Sequence, residues 1–522
     1  MKHLFLLLAL CAGQLAAQPL ISKVYGPGSS WQSEPQCMVL AADSGYFMAG
    51  GKGNPNGGGD GLIIRVNKNG DTLWTAGFGT PFPDGLAGIV ATSDGGCAAV
   101  GTFNLSFQQQ QNVTKPVVAR YNAAGQVQWI KSYNPPGYSG SASTILELPN
   151  GDLIVLGSLL SSSSNYDAFI FRINSQGNLI WSNKYTLSSD HEGYNRARIC
   201  ADGNILAVGT LGGPSHPNAI ALLTKIDPSG NVIWARRIVS PTSSLFGQDV
   251  ALKADGGCVI TGLCATGQSY EVFAMGFNSI GDTTFTAHYG STVNSEWGHS
   301  IAPSRHGFIL CGSTESFSPS IDAWLLEIDT VGQLLWSRAY GDGGWQEGWG
   351  AIQTPEGGFA VAAREEGAPG AYRFWFYKTD SAGVGGLCGE YPTATVQGFQ
   401  PATSIVSTLN VVPAGVETVL NLPTWRGVPT FNSCILTSVE EENAAALTIF
   451  PNPAQDELRI ANIANDAKVR VTDAMGKTVT LSSTINDRVI LLNTSALAAG
   501  IYFVSVTNED GELFSRKFVI CR

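Results

Sequence analysis

Short apolar runs separated by glycine-containing turns recur along the first three quarters of the chain. One unit is an apolar strand, then Asn or Asp, two variable residues, Gly, and a second strand that ends in an aromatic residue, as in AFIFRINSQGNLIW (168–181). The turn glycines follow one another at intervals of 51 to 55 residues and are Gly70, Gly125, Gly177, Gly230, Gly281, Gly332 and Gly383. Such a regular period is typical of a repeat architecture.

The turn itself predicts a short antiparallel hairpin. Asn or Asp at its first position can bond its side chain to the backbone ahead, and Gly three residues later accepts a positive φ. The acidic members of this set could instead be calcium ligands. Four of the seven first positions are Asn, namely Asn67, Asn122, Asn174 and Asn278. This composition favours a turn-forming role over metal binding.

A second apolar strand recurs in phase with the hairpin, as in GGCVITG (256–262). We expect one position of this strand to be buried in every repeat. It is occupied by Tyr46, Cys97, Leu153, Ile205, Cys258, Phe308 and Phe359. We therefore interpret Cys97 and Cys258 as small core residues rather than nucleophiles or disulfide partners.

Each repeat thus holds four short strands in about fifty residues, the size of a β-propeller blade. No segment between the strands shows a 3.6-residue amphipathic period of useful length, which excludes an α/β fold. We predict an all-β chain with a seven-bladed propeller over residues 18–387. The seventh copy lacks its fourth strand, and LISKVYG (20–26) near the N-terminus resembles that strand, so the N-terminal strand is expected to close the last blade.

The N-terminus, MKHLFLLLALCAGQLAAQ, predicts a secretory signal peptide over residues 1–17. Lys2 supplies the positive region, Leu4 to Leu10 a short apolar core, and Leu15-Ala16-Ala17 a cleavage site. Cys11 raises the alternative of a lipoprotein, but Leu10 is bulky where a lipobox needs a small residue. The apolar run is too short to cross a bilayer, and no later window is apolar enough, so no membrane span is expected.

Charge and cysteine content narrow the function classes. The net charge is −11 and no basic stripe occurs, so a nucleic-acid partner is not expected. Nine cysteines remain after removal of the signal peptide, and no C-x-x-C pair exists, which disfavours structural zinc. We predict neither a metal nor a cofactor.

From residue 446 the composition changes to a separate β-rich module, 446–522, that predicts a small sandwich. It contains a Pro-Asn-Pro entry, the sequence V-x-D-x-x-G-K, a G-I-Y motif and a basic residue before the terminal strand. These features resemble the C-terminal sorting domain (type A) of the type IX secretion system. The residues that carry this resemblance are Pro451, Asn452, Pro453, Gly476, Lys477, Gly500, Tyr502 and Lys517.

This resemblance implies an export route and a final location for the protein. The chain would cross the inner membrane with its signal peptide and engage the type IX machinery through its tail. It would then reach the outer-membrane surface or the extracellular space, with the tail removed and the cargo released or attached to lipopolysaccharide. The alternative is an ordinary immunoglobulin-like adhesion domain.

Residues 388–445, rich in Thr, Val and Pro, join the two parts as an extended spacer or a small β unit. Cys388 and Cys434 bracket this segment outside the repeats. They are the preferred disulfide candidate, because an exported protein meets an oxidising compartment.

Enzyme signatures are missing: neither H-E-x-x-H, G-x-S-x-G nor a P-loop is present, and we predict no catalytic residue. The loops between blades differ from one another, which is typical of a binding face, and they carry aromatic residues beside acids. The candidate binding residues are Trp31, Glu34, His191, Glu192, Tyr194, Glu296, Trp297, His299, Trp345, Glu347 and Trp349.

Exposed Trp beside carboxylates suits stacking on sugar rings or capture of a cationic group. The alternative for each Trp is packing between neighbouring blades. Two hypotheses follow for the chain. The first is a secreted or surface propeller that binds a glycan, protein or surface polymer, and the second is an extracellular hydrolase or lyase with a site in the central funnel.

Overall fold

The structure is a computed structural model. In it the chain divides into two compact units, Met1–Ile435 and Leu436–Arg522. The residues that it describes are 21–26, 33–53, 59–80, 82–104, 114–133, 138–160, 165–186, 191–212, 219–240, 242–267, 269–291, 294–368, 370–387, 390–393, 402–405, 410–413, 417–419, 424–426, 430–432, 448–450, 454–461, 468–473, 478–486, 489–498, 500–507 and 513–520.

The first unit is built from short antiparallel strands. Up to residue 379 these are β1 (Ile21–Tyr25), β2 (Ser33–Leu40), β3 (Tyr46–Gly53), β4 (Gly59–Val66), β5 (Thr72–Phe78), β6 (Gly85–Ala91), β7 (Cys97–Asn104), β8 (Thr114–Tyr121), β9 (Val127–Tyr133), β10 (Ser139–Glu147), β11 (Leu153–Leu160), β12 (Tyr166–Ile173), β13 (Leu179–Thr186) and β14 (Glu192–Ile199). They continue with β15 (Ile205–Leu211), β16 (Ile220–Ile226), β17 (Val232–Val239), β18 (Ser244–Leu252), β19 (Cys258–Thr266), β20 (Ser269–Phe277), β21 (Thr283–Tyr289), β22 (Glu296–Pro303), β23 (Gly307–Thr314), β24 (Asp322–Asp329), β25 (Leu334–Tyr340), β26 (Gln346–Gln353), β27 (Phe359–Ala368) and β28 (Ala371–Thr379).

These strands form seven antiparallel sheets in the described part of the chain. Sheets 1 to 6 are β2–β5, β6–β9, β10–β13, β14–β17, β18–β21 and β22–β25, each with its strands in chain order. Sheet 7 contains β26, β27, β28 and then β1, which supplies its fourth strand from the N-terminal end. The closing strand expected from LISKVYG is therefore present.

The sheets are joined by apolar cores that lie between them. Each of seven buried clusters contains residues of two neighbouring sheets, and one of them joins sheet 7 to sheet 1 through Phe374 and Phe376 with Met48 and Ile64. The first strands of neighbouring sheets also contact one another, including β26 with β2. The sheets thus follow each other in a closed ring, and the propeller fold is confirmed.

The turn that follows the third strand has one geometry in all seven sheets. Its first residue accepts a side-chain hydrogen bond from the backbone N–H four residues on, at 2.8 to 3.0 Å. The glycine at its fourth position has a φ between 71° and 88°. The Asn and Asp side chains are thus acceptors for their own turn.

A tyrosine at the end of the fourth strand fastens five of the seven sheets to the next one. Its hydroxyl donates to the carbonyl oxygen of the turn glycine in the following sheet, at 2.6 to 2.8 Å. The five pairs are Tyr25–Gly70, Tyr133–Gly177, Tyr185–Gly230, Tyr289–Gly332 and Tyr340–Gly383. In sheet 4, where Ile238 replaces the tyrosine, Nε of Arg236 donates to the carbonyl of Gly281 at 3.1 Å. The Tyr25 pair is the ring closure itself.

Six short strands, here called the girdle, follow the sheets. They are β29 (Glu390–Thr393), β30 (Ala402–Ile405), β31 (Asn410–Pro413), β32 (Glu417–Val419), β33 (Thr424–Arg426) and β34 (Thr430–Asn432). In this order they pair with β25, β17, β13, β9, β5 and β1, the outermost strands of sheets 6, 4, 3, 2, 1 and 7. The chain thus passes around the ring in reverse and covers sheet edges that would otherwise invite pairing with other chains.

The second unit contains two four-stranded antiparallel sheets. Its strands are β35 (Thr448–Phe450), β36 (Glu457–Ala461), β37 (Lys468–Asp473), β38 (Thr478–Val479), β39 (Ser483–Asn486), β40 (Val489–Asn493), β41 (Gly500–Thr507) and β42 (Leu513–Ile520). One core joins the two sheets through residues such as Leu458 and Ile490 on one side and Val504 and Phe518 on the other. The C-terminal β domain is confirmed.

Some expectations fall outside the described residues. The signal peptide 1–17 and the disulfide candidates Cys388 and Cys434 lie there. Cys97 and Cys258 are buried in the cores between sheets, and burial raises the pKa of both thiols. In the part of the chain that the structure describes, no helix is long and apolar enough to cross a membrane.

Candidate functional site

The first strand of every sheet contains a β-bulge at the same place. The residues left unpaired are Gln36, Ala87, Ser143, Asn195, Gln248, His299 and Trp349. A bulge bends the strand and redirects one side chain. The repeat therefore places one variable residue per sheet on the first strand, and two of these residues, Gln36 and Trp349, line the centre of the ring.

The sequence analysis expected the candidate binding residues in the loops between blades. Most of them lie instead on these first strands. Glu34 is on β2, Glu192 and Tyr194 on β14, Glu296, Trp297 and His299 on β22, and Glu347 and Trp349 on β26. His191 and Trp345 each directly precede a first strand, and Trp31 lies outside the described residues. The alternation of buried and half-buried residues in QEGWG (346–350) is strand periodicity, which the abundance of glycine concealed.

Three of these residues are buried within the ring. Glu296 accepts hydrogen bonds from the Ser291 N–H at 2.9 Å, from the Thr314 hydroxyl at 3.3 Å and from the Ser316 hydroxyl. Burial raises the pKa of Glu296. Tyr194 donates to the Thr224 hydroxyl at 3.0 Å and is 1% exposed, and Glu192 is 2% exposed. These contacts anchor the segments that enter the first strands.

A second group assembles around Arg364, a residue of β27 that the sequence did not single out. Its guanidinium contacts Glu34 at 2.5 Å and Glu347 at 2.9 Å, which joins sheet 7 to sheet 1. It also lies over the rings of Trp345 and Tyr372, at 5.2 and 4.3 Å from their centroids. The cation held between these aromatic rings and acids is thus the chain's own arginine.

The electrostatics of this Arg364 cluster follow from its burial. Burial raises the pKa of Glu347, while Arg364 and the Trp345 indole N–H, which donates to Glu347 at 2.8 Å, act in the opposite direction. The side chains are consequently fixed, with donors and acceptors held beside two aromatic faces.

A third group lies at the bulges of sheets 6 and 7. The rings of His299 and Trp349 stack with centroids 4.3 Å apart and an interplanar angle of 17°. Burial lowers the pKa of His299 to about 4, helped by the positive charges of Arg196 and Arg364. His299 is therefore a neutral aromatic partner of Trp349 at neutral pH.

The first strands of all seven sheets line one central cavity of about 340 Å³. Arg196 of β14 lies in its wall and donates to the carbonyl oxygens of Ser143 at 3.0 Å and Gln36 at 2.8 Å. Arg198 pairs with Asp249 at 2.9 Å in the same wall. Neither Arg196 nor Asp249 was singled out from the sequence, because only the ring brings β2, β10, β14 and β18 together.

A polar groove of about 580 Å³ continues from this region between sheets 1 and 2. Glu34, Gln36, Lys52, Asp84 and Thr102 are among its lining residues. Burial raises the pKa of Asp84, which accepts hydrogen bonds from the backbone N–H groups of Thr80 and Asn104. The groove offers acceptors and donors on a surface that is open to solvent.

The remaining candidates, Trp297 and His191, make contacts outside these groups. Trp297 is half-buried with its ring 6.5 Å from that of Tyr270. His191 accepts a hydrogen bond from the Tyr166 N–H at 3.1 Å, and the two rings are 5.4 Å apart. Among the described residues, no group of three His, Cys, Asp or Glu side chains is placed to hold a metal ion.

The sorting residues belong to the second unit. Pro451, Asn452, Pro453, Gly476 and Lys477 lie outside the described residues. Gly500 begins β41, and Tyr502 donates to the Ala498 carbonyl at 3.1 Å and stacks on Phe518. Lys517 pairs with Phe503 in the β41–β42 ladder.

Residues 448–521 match the family model described as "Secretion system C-terminal sorting domain". The second unit is a C-terminal sorting domain. The resemblance to type IX cargo is thereby confirmed, and this sorting domain marks the chain for export to the cell surface or the extracellular space.

Three solved structures are among those to which the chain is similar. PorZ, a surface component of the type IX secretion system of Porphyromonas gingivalis, is 11% identical, with 94% of this chain and 82% of that chain covered and a TM-score of 0.28. A protein of unknown function from Dyadobacter fermentans is 10% identical, with coverages of 69% and 98% and a TM-score of 0.37. Sqt1 from Chaetomium thermophilum is 9% identical, with coverages of 68% and 99% and a TM-score of 0.35. A search of curated proteins finds no significant match.

Proposed function

We propose that this exported chain is a binding protein whose propeller recognises a saccharide of a glycan or surface polymer at the centre of the ring. The observation that carries the proposal is the Arg364 cluster, in which Glu34 and Glu347 are held beside the rings of Trp345 and Tyr372. Saccharide sites combine flat aromatic faces with fixed hydrogen-bonding groups, because sugar rings carry apolar faces and equatorial hydroxyls.

The polar groove between sheets 1 and 2 supports the same function. It begins at Glu34 and Gln36, so a chain-like ligand that contacts the Arg364 cluster can continue along it. Its acceptors suit hydroxyl groups more than apolar ligands.

The test is a glycan array probed with the mature full-length chain, followed by calorimetry on any saccharide that binds. Trp345→Ala removes an aromatic face and the donor to Glu347, so we expect affinity to fall about tenfold or more, which is ~1.4 kcal/mol. Trp297→Ala and Trp349→Ala examine the other aromatic candidates in the same way.

Leu335→Ala is the matched control, because Leu335 is 47% exposed beside the turn of sheet 6. Its binding should equal that of the unmodified chain. Absence of any saccharide ligand, or the same affinity in Trp345→Ala as in the control, would contradict the proposal.

An extracellular hydrolase or lyase is the second candidate, and one observation favours it. Glu34 and Glu347 meet at one arginine, and burial raises the pKa of Glu347, a change that suits a general acid. Incubation of bound polysaccharides with the chain should then release fragments, and Glu347→Gln should abolish release while leaving binding measurable. No release by the unmodified chain would remove this candidate.

A further inference from the structure

The central cavity contains an unbalanced positive charge. Its charged lining residues are Arg196, Arg198 and Asp249. Asp249 is 3% exposed and is fully engaged, because it accepts bonds from Arg198, from the Val250 N–H at 2.8 Å and from the Ile301 N–H at 3.1 Å. The charges of Arg198 and Asp249 therefore cancel, and Arg196 gives the cavity lining a net charge of +1.

Arg196 has only neutral acceptors. Its guanidinium donates to three backbone carbonyl oxygens, those of Ser143, Asn195 and Gln36, and no carboxylate of the described residues contacts it. A half-buried cation without a counter-ion is costly, since desolvation is not repaid by an opposite charge. The site therefore favours a negative group from outside the chain.

Two residues of the cavity lining, Trp349 and Ser300, also carry buried hydrogen-bond donors that lack partners. The indole Nε1 of Trp349 and the hydroxyl of Ser300 are buried and have no hydrogen-bond partner among the described residues. Buried polar groups of native proteins are almost always satisfied, so two unpaired donors on neighbouring first strands indicate a missing acceptor. His299 keeps Trp349 in place by stacking on its ring.

We propose that the central cavity binds the carboxylate of a small ligand, with Arg196 as counter-ion. The Trp349 indole N–H and the Ser300 hydroxyl, both closed to solvent in this fold, become its donors through small side-chain movements. A monoanion balances the single charge of the lining, and a volume of about 340 Å³ is at the lower end of small-molecule sites. This inference rests on the proposed function and makes it narrower: the recognised saccharide carries an acidic group, as a uronic acid does.

The first test uses sodium glucuronate, glucose and acetate as probes on the full chain, labelled with ¹⁵N at the tryptophan indoles. The signal of Trp349 is the one that disappears in Trp349→Phe. Glucuronate and acetate should shift this signal at about 10 mM, ten times a Kd of about 1 mM, whereas glucose should not. A Trp349 signal that ignores both carboxylates would overturn the inference, as expected if water alone occupies the cavity.

The second test compares variants by glucuronate titration. Ser300→Ala removes a donor that has no partner in the fold, so stability should be unchanged or higher while affinity falls about fivefold. Arg196→Gln should weaken binding about tenfold or more, and Arg237→Gln, at an exposed arginine of β17, should not. Unchanged affinity in Ser300→Ala, in a chain that melts like the unmodified one, would count against the site.

The two proposals fail in different ways. Saccharide binding on the array together with a Trp349 signal that ignores acetate and glucuronate would overturn the carboxylate site and leave the saccharide function intact. A Trp349 response to acetate and glucuronate without any saccharide on the array would support the carboxylate site and contradict the saccharide function.

Discussion

The turns of the propeller are almost the same in all seven repeats, whereas the bulge position of the first strand differs from repeat to repeat. At the turns, the same Asn or Asp, the same glycine and, in five sheets, the same tyrosine recur around the ring. Along the first strands, the bulge position holds seven residues of six different types, from Ala87 to Trp349. The difference shows which part of each repeat is constrained by ring closure and which part is free to acquire a ligand.

The constraint at the turns is geometric as well as conformational. A Cβ on Gly125 would lie 2.5 Å from the ring of Trp74, and one on Gly383 would lie 2.5 Å from the ring of Trp336. The turn glycine thus permits a positive φ and also lets the preceding sheet pack closely. The bulge residues instead make contacts that differ from sheet to sheet: the Asn195 amide donates to the Gly247 carbonyl oxygen at 2.7 Å, whereas the ring of His299 stacks on that of Trp349.

Opening the ring should have the largest effect. Val24 lies in the middle of β1, which is paired with both β28 and β34. Val24→Pro removes a backbone N–H from this doubly paired strand, so we expect a loss of about 3 kcal/mol or more in the free energy of unfolding, measured by chemical denaturation.

Ala123→Pro is the control for that variant. Ala123 occupies the turn position that is already proline in sheet 4, at Pro228, and both carbonyls accept a tryptophan indole N–H. Its stability should be unchanged. Equal losses in the two variants would indicate that the closing strand has no special role.

A smaller loss is expected at a turn glycine. Gly125 and Gly203 have φ values of 71° and 78°, but only Gly125 lies against a neighbouring ring, since nothing is within 4 Å of a Cβ on Gly203. Gly203→Ala should cost about 1 kcal/mol from its backbone alone, and Gly125→Ala about 2 to 4 kcal/mol. Similar losses in thermal denaturation would contradict the packing role of the turn.

The tyrosine hydrogen bond is expected to contribute less. Tyr340→Phe leaves the Gly383 carbonyl without its buried donor and should cost about 1 to 2 kcal/mol. Tyr166→Phe, at a residue that is 41% exposed, should change stability by less than about 0.5 kcal/mol. If Tyr340→Phe left the free energy of unfolding unchanged, the repeated tyrosine hydroxyl would not be what fastens the sheets.

The last expected effect is a pH dependence, which is absent near neutral pH. The pKa of His299 is about 4 in the folded chain against an ordinary value of 6.5, so the unfolded chain binds the proton first as the pH falls. Its contribution to stability is therefore present above about pH 6.5 and is lost toward pH 4. His299→Phe, which can still stack on Trp349, should lose less stability than the unmodified chain over this window and match it near pH 7.5.

The fold was largely predictable because it is built from repeated local chemistry. The turn residues gave the period, the phase of the apolar strands gave four strands per repeat, and the tyrosine of LISKVYG identified β1. The girdle was not predictable, since its strands are three or four residues long and are held by pairing with sheet edges distant in sequence. Such short strands carry almost no periodic signal.

The candidate site was predictable only in part. Trp345, Glu347 and Glu34 were identified as an aromatic and acidic set, and they do meet. Arg364, Tyr372 and Arg196 were missed because they stand in ordinary strand patterns, and their proximity depends on the ring. The two arginines in half-buried positions of a first strand, in GYNRAR (193–198), are the signal that could have indicated Arg196.

The most direct test of the division between turns and first strands compares Tyr340→Phe with Trp349→Phe, each measured for unfolding midpoint and for glucuronate affinity. We predict that Tyr340→Phe lowers the midpoint and binds normally, whereas Trp349→Phe, which retains a stacking ring, keeps the midpoint and loses affinity. If both variants changed the same quantity, the account of constant turns that hold the ring and variable strands that bind would be wrong.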